Sequence, residues 1–124
     1  MVSAMRDIGE LTDRLRDFAA ARDWEQFHTP KNLVMALAGE AGELVAEFQW
    51  LTPAEAAAIM TDPQAASQVR SEIADVFLYL TRLADVLDVD LLGAAADKIA
   101  ENERRYDTET YRGSRGKAPR HCGR

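Results

Sequence analysis

The chain has 124 residues, 47% of them hydrophobic, and a formal net charge of −6. That is enough for one domain with a modest core, and the acidic balance argues against broad electrostatic binding to nucleic acid or anionic membranes. Nothing approaches a membrane span or a secretory leader, and the single cysteine, Cys122, can form no internal disulfide, so a reducing, cytoplasmic setting is expected.

Apolar periodicity predicts an all-α chain, a bundle of four to five helices with no alternating strand pattern. The first helix is expected from about Ser3 to Arg22, with Ile8, Leu11, Leu15 and Phe18 on one face. Thr29-Pro30 starts the second, because Thr caps and Pro suits the first turn. That helix runs to about Trp50, with Leu33, Leu37, Leu44, Phe48 and Leu51 as its stripe. Thr52-Pro53-Ala54-Glu55 reads as a capping box opening a short alanine-rich helix that ends near Met60. Asp62-Pro63 caps a fourth helix running to about Leu87, with Val69, Ile73, Val76, Leu80, Leu83 and Leu87 facing a core. Asp88 or Asp90 caps a fifth, whose stripe is Leu92, Ala95, Ile99, Asn102 and Tyr106. From Arg112 onward Gly, Ser, Arg and Lys dominate. Residues 1–111 are therefore expected to form the domain and 112–124 a mobile basic tail. That tail is either solvated or a flap whose cations meet substrate phosphates.

Two acidic pairs organise the chemistry. Glu40 and Glu43 on the second helix, and Glu72 and Asp75 on the fourth, are each spaced i, i+3, which puts both carboxylates of a pair on one helix face roughly 60° apart. Glu40 and Glu47 fall within the apolar stripe that begins at Leu33, and acids there are costly to bury unless paired or metal-bound. Four convergent carboxylates raise each other's pKa until a cation joins them. With no His or Cys nearby, all-oxygen ligation suits Mg²⁺, Mn²⁺ or Ca²⁺ rather than Zn²⁺. The plainer reading is a set of surface glutamates on charged helices. Glu25-x-x-His28 has the spacing of a di-iron ligand pair, but that fold needs a second such pair, and the other histidine is His121 in the tail. His28 either packs near the helix start or touches a substrate. Trp24 and Trp50, at helix ends, are core or interface anchors, or platforms for a nucleobase.

Glu40-x-x-Glu43, then 28 residues, then Glu72-x-x-Asp75, resembles the ExxE…ExxD signature of the all-α, MazG-like nucleotide pyrophosphohydrolases. Phe18-Ala19-Ala20, Arg22 through His28, Pro30-x-Asn32-Leu33, and Gly39-Glu40-x-Gly42-Glu43-Leu44 through Phe48-Gln49-Trp50 are similar to the dCTP pyrophosphatase branch. The resemblance covers roughly Ile8 to Tyr106. It implies an oligomer, a tetramer or a dimer, with Mg²⁺ (or Mn²⁺) at Glu40, Glu43, Glu72 and Asp75. It implies hydrolysis of a nucleoside triphosphate, dCTP or a 5-substituted dCTP, to the monophosphate and pyrophosphate. By the same match Trp24 and Trp50 embrace the base, while Tyr79, Lys98 and Asn102 meet the phosphates or sugar. Glu43 is the carboxylate expected to position the attacking water, and Glu47 a support for it or an interface residue. Leu15 stands where relatives of this branch can carry a base-contacting histidine, and the tail lacks their Lys-Tyr-rich wording. The alternatives are another nucleotide substrate (dUTP, a damaged nucleotide, phosphoribosyl-ATP) or a non-catalytic helical oligomer that senses nucleotides.

Overall fold

Six α-helices, and no strand among the described residues, make up the fold; the computed structural model describes residues 4–120. Helix α1 spans Ile8–Ala21, α2 Pro30–Phe48, α3 Pro53–Ala57, α4 Pro63–Val86, α5 Leu91–Arg105 and α6 Thr108–Tyr111. Short 3-10 turns at Glu25–Phe27 and Ile59–Thr61 join them. No helix among the described residues is long and apolar enough to cross a membrane.

The caps follow local chemistry. The Thr29 side chain accepts from the Asn32 amide, with Pro30 in the first turn of α2. Thr52 and Glu55 complete a reciprocal capping box, and Asp62 and Asp90 cap α4 and α5. At the other end of α1 the chain turns through Asp23, φ 54°, the left-handed conformation that closes a Schellman motif. The Trp24 amide then donates to the Ala19 carbonyl at 2.9 Å and Asp23 to Ala20 at 3.1 Å. Asp88, φ 55°, does the same after α4, where Val89 donates to Ala84 at 2.8 Å.

Several expectations are corrected. Helix α1 starts at Asp7, whose carboxylate accepts from the Glu10 amide; the proposed cap Ser3 lies outside the described residues, as do His121 and Cys122. The third segment is a five-residue α-helix followed by a 3-10 turn, with Ala58 leaving the helix at φ −98°, ψ 3°. Helix α6 was not expected; Asp107 caps it and Tyr111 packs edge-on against Tyr106 at 5.0 Å.

The chain divides into two compact units, Met1–Val89 and Asp90–Arg124. In the first, α4 is the axis against which α2 and α1 pack, and its core is small: Leu11, Ala19, Leu33, Val69 and Ala84. The buried face of α4 differs from the expected stripe. Val69 is buried, but Ile73 is 53% and Leu87 50% exposed, while Glu72, Thr81 and Arg82 are buried in their place. Thr81 turns its hydroxyl back to the Phe77 carbonyl at 2.8 Å, and Arg82 is paired, so neither polar group is stranded. In the second unit Arg105 donates from Nη2 to the buried Ala118 carbonyl at 3.1 Å, tying residues beyond Arg112 to α5. The rest of the basic tail, residues 121–124, lies outside the described residues.

Candidate active site

Glu40 and Glu43 reach out from α2 and Glu72 from α4, and a carboxylate oxygen of each lies within 4.8 Å of the other two. The i, i+3 spacing on α2 and the packing of α2 on α4 bring them together. Glu72 is 6% exposed. Its Oε1 accepts from Gln68 Nε2 at 2.9 Å, but its Oε2 and the Oε2 of Glu40 are buried with no hydrogen-bond partner. Burial pushes the Glu72 carboxyl above the usual carboxylate range, and the neighbouring Glu43 carboxyl pushes it further. Buried acceptor oxygens left without donors, in a cluster of oxygen ligands only, fit a hard divalent cation such as Mg²⁺ or Mn²⁺.

Asp75, one turn along α4 from Glu72, stands outside this three-residue cluster and lines a cavity of about 250 Å³. Leu15, Phe18, Trp24, His28, Leu78, Tyr79 and Arg82 line it with Asp75. The Schellman turn after α1 sets the Trp24 indole edge-on to Phe18, ring centroids 5.6 Å apart, and to His28 at 6.3 Å. Trp24, His28 and Tyr79 thus stand together on one cavity wall. Trp50 is not among them: it is 86% exposed at the end of α2. Lys98 and Asn102 belong to the second unit, where Lys98 pairs with Glu101 at 2.8 Å. Glu47 is half-buried on the stripe that holds Glu40.

No protein-family model matches the chain. A curated relative, dCTP pyrophosphatase 1 of Rattus norvegicus, is 45% identical over 98 residues, 79% of this chain and 58% of that protein. The Homo sapiens protein of the same name is 45% identical over the same span. The chain therefore spans less than two thirds of the length of these relatives. A solved structure of a pyrophosphatase from Archaeoglobus fulgidus is 35% identical, superposes with a TM-score of 0.76, and is matched over 86% of this chain and 98% of that one. The chain belongs to the all-α, MazG-like nucleotide pyrophosphohydrolases.

The cavity wall of this MazG-like chain also carries a charged network that helical periodicity does not single out. Arg82 donates from Nε to His28 Nδ1 at 3.0 Å and from Nη1 to Asp85 at 3.0 Å. Asp85 is held from α1 by the Arg16 guanidinium, whose Nε donates at 2.8 Å. The signal was present as two charges, Arg82 and Asp85, set i, i+3 among the apolar residues of α4.

Proposed function

We propose that the protein is a divalent-metal-dependent nucleoside triphosphate pyrophosphohydrolase, acting on dCTP or a 5-substituted dCTP to give the monophosphate and pyrophosphate. The observation that carries this is the step along α4 from Glu72 to Asp75, which sets a three-carboxylate cluster one helical turn from an aromatic-walled cavity of base size. The names of the curated relatives support the same substrate.

Glu40, Glu43 and Glu72 hold Mg²⁺ or Mn²⁺, with Asp75 as the fourth acid. The bound ion supplies charge neutralisation and polarisation of the phosphoryl group, without which a triphosphate is repelled by these acids. Glu43, exposed where Glu72 is buried, is the carboxylate with room to orient an attacking water and take its proton. Trp24 stacks the base from the cavity wall; Trp50, which lies outside that wall in the single chain, is assigned to the base by the family resemblance alone. A slot walled by large aromatic groups suits a single ring better than a fused one, so purine triphosphates are poor substrates. His28 and Tyr79 contact the nucleotide from the cavity wall. The assembly is a homotetramer, in which exposed apolar side chains such as Met35, Val45, Ile73 and Leu92 are covered by other copies.

Pyrophosphate release from a mixed deoxynucleoside triphosphate pool, with Mg²⁺ and again with EDTA, tests this. Release that needs the metal and depletes dCTP first is expected. A pool left intact with Mg²⁺ present rules the activity out.

A further inference from the structure

The cavity wall beside Trp24 holds a network that the carboxylate cluster does not use. Arg82 is 9% exposed, and its guanidinium divides its donors between His28 and Asp85. Asp85 in turn is fastened by Arg16 of α1. The chain of contacts runs from an exposed arginine inward to an imidazole that lines the cavity, and each link fixes the next. An arginine keeps its proton in a protein, so it is a permanent donor. A permanent donor at Nδ1 leaves that nitrogen only an acceptor's role, and the ring is then neutral with its proton on Nε2. Burial, and then the Arg82 charge, hold His28 below its ordinary pKa, which agrees with a neutral ring.

His28 thus offers the cavity an N–H of fixed tautomer. Arg82 lines the same cavity, and its Nη2 carries no hydrogen bond among the described residues. Leu15, Phe18 and Leu78 make much of the remaining wall apolar. Asp75, the carboxylate on this wall, belongs with the metal acids, and Tyr79 adds a hydroxyl.

We propose that His28 and Arg82 form the base-reading edge of this cavity, two fixed donors matched to the adjacent N3 and O2 acceptors of cytosine. This rests on the nucleotide reading of the cavity given above. Uracil and thymine present an N3–H at the same place, a donor facing a donor. The three pyrimidines share the same six-membered ring and stack on Trp24 alike, so ring size and stacking do not separate them. An unpaired buried donor does, because it loses its water and gains nothing in return. His28 touches the base, and Arg82 both touches it and holds the His28 tautomer.

The test compares kcat and KM for dCTP, dUTP and 3-deaza-dCTP, in which a C–H replaces the N3 acceptor. Wild-type protein should favour dCTP over each of the other two by roughly tenfold or more in kcat/KM, mainly through KM. His28→Ala should bring the dCTP to dUTP ratio within about twofold, and Arg82→Met should move it the same way. The deaza comparison uses wild-type protein alone and decides the matter even if His28→Ala does not fold. Equal use of dCTP and 3-deaza-dCTP, a preference for dUTP, or a ratio unmoved in folded His28→Ala overturns the proposal and leaves the pyrophosphohydrolase reading standing. Wild-type protein that hydrolyses no nucleoside triphosphate overturns both.

Discussion

Glu72 and Asp75 lie one turn apart on α4 and serve different neighbourhoods: Glu72 completes the carboxylate cluster with Glu40 and Glu43, and Asp75 lines the aromatic cavity. Glu72→Gln should therefore remove a metal-binding anion without disturbing the cavity. Activity is expected to fall by about a hundredfold or more. The metal-free protein should be as stable as wild type or more so, since a buried acid under repulsion has become neutral. Thermal melts with and without Mg²⁺ check this: the ion should raise the wild-type Tm and leave that of the variant nearly unmoved.

Arg82 and Asp85 have side chains only 10% exposed. Asp85→Ala leaves the Arg82 cation buried beside a neutral imidazole, and should cost about 3 kcal/mol in denaturant unfolding. Substituting Arg16, which is more than half exposed, should cost about 1 kcal/mol or less. A larger loss at Arg16 than at Asp85 would contradict the nested order of this network.

The same network sets an acid limit. The Arg16 guanidinium, with help from Arg82, holds the Asp85 carboxyl below its ordinary value of 3.8. A carboxyl whose pKa is depressed by folding contributes stability that is present above 3.8 and is lost as pH falls through the lower folded value. Stability should therefore drop below about pH 4, and Asp85→Asn should flatten that drop. Unfolding midpoints measured from pH 6 down to pH 2, about the range of this titration, check it. A variant as steep as wild type would place the acid sensitivity elsewhere.

Trp24 is half-exposed and edge-on to both Phe18 and His28. Trp24→Ala should weaken dCTP binding by about 1–3 kcal/mol, the range for losing one base stack. The loss should appear in KM, with kcat less affected, because the carboxylates are untouched. Trp50→Ala, measured beside it, should also raise KM if the second indole covers the base.

Much of this was legible in the sequence because the deciding chemistry is local. Thr29-Pro30, Thr52-Pro53 and Asp62-Pro63 start helices through contacts spanning two or three residues, and Glu40 and Glu43 share a face through the helical repeat alone. The Arg82 network was not legible. It depends on Arg16, 69 residues from Asp85 along the chain, and a charge in an apolar stripe does not name its distant partner. Periodicity likewise reads Ile73 and Leu87 as core, but the first unit does not cover them. They point to a larger assembly, and light scattering at low micromolar concentration should return four times the chain mass of 13.8 kDa; a monodisperse monomer would count against it.

Product analysis of dCTP turnover by ion-exchange chromatography shows which phosphate bond is cut. With Mg²⁺ the wild-type protein should yield dCMP and pyrophosphate in equal amounts, and neither should form with EDTA or with Glu72→Gln. Formation of dCDP and phosphate, or turnover that persists in Glu72→Gln at wild-type rate, would contradict the account.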